Sequence, residues 1–302
     1  MEPGHDRARP TSRCADRPPS PCPDRTCPWT SSPSAPCGHR RTATTSRSPP
    51  GDRPLGGGTW LFSEEQPGLT GLVDLTTLGW PDVERVPGSL TVAATCTIAS
   101  LLRVRPDVSW RAWPLVEQCA NALLASFKVW NAATVGGNVA VGLPAGAMTA
   151  LLVTLDATAV IWTPDGGERR VPVERLVLGV RTLDLRHDEV IRSFEVPEAA
   201  LRATTGYRRV SLSPYGRSGS LVTARWSAQE FVLVVTAATP RPIVFRFAGV
   251  PTADGLDDAL TAALGSDDHW YDDPHGSPAW RRAVSTRSAH ELRDEAAAGG
   301  TR

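Results

Sequence analysis

The sequence predicts an α+β protein in two parts: a mixed ligand-binding domain over residues 55–200, then a small antiparallel sheet-plus-helices domain over 201–302. Three observations predict it. Residues 1 to 54 contain no Leu, Ile, Val or Phe, so they cannot bury enough apolar surface to offset their ordering entropy and are expected to form a disordered Pro/Arg-rich tail. From Leu55 to about Pro197, β-prone runs alternate with helical spacings and glycine turns. Beyond about residue 202, successive β-prone runs are followed by two helical patterns.

Taken in order, LGGGTWLF reads as a strand end, a glycine turn and a continuation, and GLVDLTTLGW as an apolar patch ending in Trp80. SLTVAATC has strand propensity, and TIASLLR begins a helix with Thr97 near its start. WPLVEQCANALLAS places Trp113, Leu115, Val116, Cys119, Ala120, Leu123 and Leu124 at helical spacing. TVGGN reads as a turn and PAGAMTALLVTLDA as a small-residue helix. ATAVIWTPDGGERRVPV is a hairpin around Pro164-Asp165-Gly166-Gly167, and EVIRSFEVP is a strand closed by Pro197. TTGYRRVSL, GSLVTARWS, EFVLVVTAAT and PIVFRFAGV supply strands, and GLDDALTAALG and SPAWRRAVSTRSAHELRDEA supply the last helices.

Composition removes several function classes. Acidic and basic residues balance at 32 each, which leaves no global field for nucleic acid or an anionic membrane. The longest apolar stretch, around Leu151 to Trp162, is interrupted by Asp156, so no membrane span is expected. No apolar leader region follows the N-terminal arginines, and the expected location is the cytoplasm, where the six cysteines stay reduced. Cys14, Cys22, Cys27 and Cys37 are separated by seven, four and nine residues, which matches neither zinc nor ferredoxin spacing. SDDHWYDDPHG gathers acids and two histidines between helical patterns, where acidic caps are common, and no metal is assigned to it. There is no G-x-S-x-G elbow and no pair of carboxylates suited to hydrolysis, so no general acid or base is nominated.

Two glycine clusters carry the chemistry: Gly56-Gly57-Gly58-Thr59 and Thr134-Val135-Gly136-Gly137-Asn138. Adjacent glycines permit close backbone approach and positive φ, so successive N–H groups can converge on a pyrophosphate. Thr59, Thr134 and Asn138 add side-chain hydrogen bonds to phosphate or ribose. Neither cluster is GxGxxG or GxxxxGK[ST], which sets aside the common dinucleotide and P-loop motifs.

With their flanks, LGGGTWLF, GLVDLTTLGW, SLTVAATCTIASL and KVWNAATVGGNVA resemble the FAD-binding subunit of the xanthine dehydrogenase and carbon monoxide dehydrogenase family, which has a PCMH-type FAD-binding domain. The likeness continues through LLVTLDATAVIW, GVRTLDLRHDEVIRSFEVP, GYRRVSLSPYGRSGS and SPAWRRAV, about residues 51 to 297. It implies FAD contacts at Leu55, Gly56, Gly57, Gly58, Thr59 and Trp60, and at Thr134, Val135, Gly136, Gly137 and Asn138. It also implies an apolar contact from Ile191, and a cation near the flavin from Arg209, where relatives often carry lysine.

The chain departs from the family in three places. Leu143-Pro144-Ala145-Gly146-Ala147 replaces the usual Ser-Pro-x-x-Asp, so Ala147 stands where relatives present a carboxylate to the cofactor's hydroxyls. Restoring it with Ala147→Asp is expected to tighten FAD binding. Trp130-Asn131 replaces an arginine before the asparagine, and the tail replaces the strand and helix that precede the first glycine loop. The implied function is electron relay: a molybdenum-cofactor large subunit oxidises substrate, a 2Fe–2S small subunit passes electrons to this subunit's FAD, and NAD, oxygen or a quinone accepts them. The rival readings are a flavin-free scaffold of the same descent and a stand-alone flavin oxidase.

Overall fold

The computed structural model describes residues 51–299. Most of the expected tail therefore lies outside the described residues, but its last residues do not behave as tail. Strand β1 (Asp52–Leu55) pairs in parallel with β2 (Gly71–Asp74). Regular structure is thus present before Leu55, because Asp52 to Pro54 find backbone partners in a strand that their side chains alone do not advertise. Gly58 to Ser63 form turns between the two strands, where a continuing strand was expected. Asp74 then caps a short 3-10 turn, Leu75–Leu78, by accepting from the Thr76 N–H.

Strands β3 (Val83–Val86) and β4 (Ser89–Ala93) lead into α1 (Ile98–Leu102), capped as expected by Thr97, whose hydroxyl accepts from the Ser100 N–H at 3.0 Å. In α2 (Pro114–Ala122), proline occupies the first turn, where its missing N–H costs nothing. Leu115, Val116, Cys119 and Ala120 are buried as their spacing predicts, whereas Leu124 lies beyond the helix, 42% exposed. The short α3 (Phe127–Trp130) precedes α4 (Val135–Val141). TVGGN is therefore the capped start of a helix and not a turn. Every residue of α5 (Ala147–Thr154) is buried. A helix apolar all round belongs at the centre of a protein, and α5 sits there.

The hairpin β5 (Thr158–Trp162) and β6 (Glu168–Pro172) forms as expected, followed by α6 (Val173–Leu176), β7 (Val177–Gly179) and β8 (Thr182–Leu183). Strand β9 (Val190–Pro197) returns through the middle, giving a five-stranded antiparallel sheet ordered β3-β4-β9-β5-β6. After α7 (Glu198–Arg202), strands β10 (Thr204–Val210), β11 (Ser220–Trp226), β12 (Phe231–Thr236) and β13 (Ile243–Phe247) make a four-stranded antiparallel meander. Helices α8 (Ala253–Leu264) and α9 (Pro278–Gly299) complete the described chain.

The meander explains how the two parts join. Side chains alternate across a strand, and β12 uses both faces. Val232 and Val234 enter the core that contains α5, while Phe231, Leu233 and Val235 pack with Leu256 of α8 and Leu292 of α9. The division near residue 200 is thus crossed by one continuous core. Polar links reinforce it. The Thr154 and Thr223 hydroxyls share a hydrogen bond of 2.6 Å, and buried Arg225 donates to the Thr154 carbonyl and pairs with Asp156 and Glu230.

Candidate cofactor-binding site

The two glycine clusters meet. Their glycines are required mainly by close approach: a Cβ on Gly57 would lie 1.6 Å from the Ala132 carbonyl oxygen, and one on Gly136 would lie 2.5 Å from the Ala94 Cβ. Gly56 packs against the Thr134 side chain in the same way. Only Gly58 has a positive φ, 69°. The expectation that both clusters need left-handed torsions therefore holds at one position; Gly57 is required by its approach to Ala132, Gly136 by its approach to Ala94 beside β4, and Gly56 by the Thr134 side chain of the second cluster.

A cleft of about 800 Å³ opens between them, near the upper end of the ~300–1,000 Å³ usual for small-molecule sites. Leu55, Gly56, Gly57, Gly58, Thr59 and Trp60 line one wall. Thr134, Gly136, Gly137 and Asn138 line the other, and Ile191 contributes from β9. Two expected residues are elsewhere. Val135 points into the core with 1% exposure, as the first residue of α4. Arg209 does not line the cleft; from β10 it donates to the Ser218 hydroxyl at 2.9 Å and to the Gly216 carbonyl, bracing the loop after its own strand. Ala147 is fully buried and also absent from the lining. A carboxylate there would meet the core before a ligand, so the expected gain from Ala147→Asp is not supported.

The two walls differ chemically. At the start of α4 the N–H groups are already used: Val135 donates to Cys96, Gly136 to Ala94, and Asn138 to Thr134, all to backbone carbonyls at 2.9–3.0 Å. Gly137 donates to the Thr134 hydroxyl at 3.0 Å. Thr134 is thus an N-cap, and this cluster offers a ligand its side chains more than its amides. Asn138 accepts from the Met148 N–H at 3.0 Å through Oδ1, which orients its amide. In the first cluster, by contrast, the amides of Gly57, Gly58, Thr59, Trp60 and Leu61 have no acceptor among the described residues. Unpaired, clustered N–H groups on a cleft wall fit a phosphate oxygen anion.

Several lining residues escaped the sequence reading. Arg53, Arg181 and Arg186 bring positive charge, His187 adds an imidazole, and Leu183 and Leu185 add apolar surface. Arg53 comes from β1 and the others from the β7–β9 region, whose sequence has no nucleotide motif; only their place in the fold reveals them. Glu189 also lines the cleft, with its side chain 1% exposed. Arg169 holds it through two hydrogen bonds of 2.9 and 2.8 Å, and the Arg186 N–H adds another at 2.9 Å. Burial pushes its carboxyl up, but the Arg169 and Arg186 bonds and charges outweigh that and hold it below the usual range.

Elsewhere, Cys96 and Cys119 are buried, and burial pushes the Cys96 thiol up to about 12. In the acidic loop Asp273 accepts from buried Arg281, and no three His, Cys, Asp or Glu among the described residues are grouped to hold a metal. No described helix is long and apolar enough to cross a membrane.

Two loops that touch through glycine, one with open amides and the other capping a helix, make a cleft whose chemistry fits a dinucleotide cofactor in an α+β protein outside the GxGxxG and P-loop groups. Residues 40–199 match the family described as the FAD binding domain in molybdopterin dehydrogenase. The chain belongs to that family, and its cofactor is FAD. Over 137 residues it is 31% identical to the carbon monoxide dehydrogenase medium chain of Hydrogenophaga pseudoflava, covering 43% of this chain and 47% of that one. The matched stretch thus spans about half the length of that curated relative. The fold is similar to chains in solved structures of carbon monoxide dehydrogenase from the same organism (TM-score 0.68, 22% identity, 82% of this chain, 90% of that one). Quinoline 2-oxidoreductase from Pseudomonas putida 86 gives a TM-score of 0.65 at 22% identity, over 82% of this chain and 91% of the other. Carbon monoxide dehydrogenase from Oligotropha carboxidovorans gives 0.68 at 19% identity, over 82% and 90%.

Proposed function

We propose that this chain is the FAD-binding electron-transfer subunit of a molybdenum-containing hydroxylase or dehydrogenase complex. Its partners would be a molybdenum-cofactor large subunit and a 2Fe–2S small subunit, with NAD, oxygen or a quinone as final acceptor. The observation that carries the reading is the single cleft at which both glycine clusters meet, with open amides on one wall. Bound FAD supplies the ability to accept electrons singly or in pairs and pass them on. The protein's part is to bind and orient it. Amides from Gly57 to Leu61 would receive the phosphates, the Asn138 amide and Thr59 hydroxyl the sugar hydroxyls, and Leu55 and Ile191 an apolar ring face. The buried carboxylate that lines the cleft, Glu189, is committed to Arg169, which favours a cofactor seat over the acid–base site of a self-sufficient oxidase.

Affinity isolation of the tagged full-length chain from its native host tests this. The expected result is co-elution of FAD, molybdenum and iron with two further polypeptides. Elution alone with FAD, together with turnover of a substrate, would favour the stand-alone oxidase. Elution alone without FAD would favour the scaffold.

A further inference from the structure

Resting on the flavin reading above, we infer that the anion seat of this cleft is one-sided: Arg53 and Arg181 neutralise the cofactor's pyrophosphate at the first glycine cluster. Two lines of observation converge on it. The amides at the start of α4 are all engaged within the protein, which leaves the amides of Gly57 to Leu61 as the open donors. Of the three arginines lining the cleft, Arg186 is committed to Glu189 at 3.2 Å and to Asp188 at 3.7 Å. Arg53, two residues before Leu55 on β1, has no hydrogen-bond or ion-pair partner among the described residues.

Arg181 is held for the task. Its φ of 54° lies in the left-handed region, which a residue with a side chain rarely adopts, and such outliers point to function. The turn is pinned by the Arg181 N–H donating to the Gly142 carbonyl at 2.7 Å, at the end of α4. The guanidinium then lies 5.9 Å from the centre of the Trp60 ring, against the first cluster. Its one acidic neighbour, Glu64, is 4.0 Å away, and the arginine side chain remains 56% exposed. Glu189 is already balanced by Arg169. Arg53, with no partner among the described residues, and Arg181, with only a long contact to Glu64, bring two guanidinium groups to the cleft that the open amides line. They match the two negative charges of a pyrophosphate, and arginine can bind such oxygens bidentately.

The test is an equilibrium titration of the full-length apoprotein with FAD, for wild type, Arg53→Gln, Arg181→Gln and Arg181→Lys, at low and high salt. Each glutamine variant is expected to bind FAD about tenfold more weakly, as for loss of one charged hydrogen bond. The salt dependence should flatten, and lysine should recover part of the loss. Because both side chains are exposed, the ligand-free thermal midpoint should not move. Wild-type binding with both glutamine variants within twofold of it would overturn the inference and leave the flavin reading intact. A lowered ligand-free midpoint accompanying the loss would make the arginines structural and overturn it too. Failure of wild type itself to bind FAD would remove the flavin reading and this inference together.

Discussion

At the scale of single residues, the need for glycine was legible in the sequence, but its cause was not. Doubled glycines suggest torsional freedom, yet at Gly57 and Gly136 the requirement is space, set by carbonyl and Cα atoms from distant segments. No local pattern encodes an approach between residues 57 and 132. Gly57→Ala should therefore act as overpacking, costing ~1–3 kcal/mol, or about 2–12 °C of thermal midpoint for a protein of this size. It should also lose FAD on gel filtration; a variant with unchanged midpoint and full flavin content would contradict the contact. The thiols make a second case. Cys96 and Cys119 were readable as core from their apolar surroundings, and their burial keeps them protonated. Peptide-resolved alkylation of the native protein at pH 8 should leave both unmodified until the protein is denatured. Labelling of either at the rate of a free thiol would contradict that.

Among the elements, the best-read ones carried their own punctuation: the Thr97 cap, the Pro114 start of α2 and the Pro-Asp-Gly-Gly hairpin. Helix α4 was missed because its glycines look like a turn, although Thr134 three residues before Gly137 is a usable N-cap signal. Removing that cap with Thr134→Val should cost ~1 kcal/mol and about 2–4 °C, read by differential scanning calorimetry. It should also weaken FAD binding, because the same side chain packs on Gly56. The β6–β9 region adds a pH dependence. The Glu189 carboxyl is held below its ordinary value, so its contribution to stability is complete above about pH 4.3 and is lost as pH falls through the folded-state value. The midpoint of Glu189→Gln should be lower than wild type at neutral pH and converge on it in acid. Parallel curves for the two proteins would rule this contribution out.

For the molecule as a whole, the sequence announced two parts but not the depth of their union. Helix α5 shows no amphipathic stripe, because the first sheet's helices and the second sheet's inner face bury it from all sides. A pattern with no periodicity cannot name its neighbours. The same limit hid Arg53 and Arg181 from the site, while the glycine clusters, punctuated by composition, were plain. The central claim is that the cleft where those clusters meet is the FAD seat. Its most direct test is the stoichiometry of FAD bound by the full-length chain, measured beside Gly137→Val. A Cβ at Gly137 meets only the Thr134 hydroxyl and otherwise faces the cleft, so valine there fills ligand space while the fold persists. The account predicts one FAD per wild-type chain and almost none in the variant, with similar circular dichroism for both. A full complement of FAD in folded Gly137→Val would contradict it.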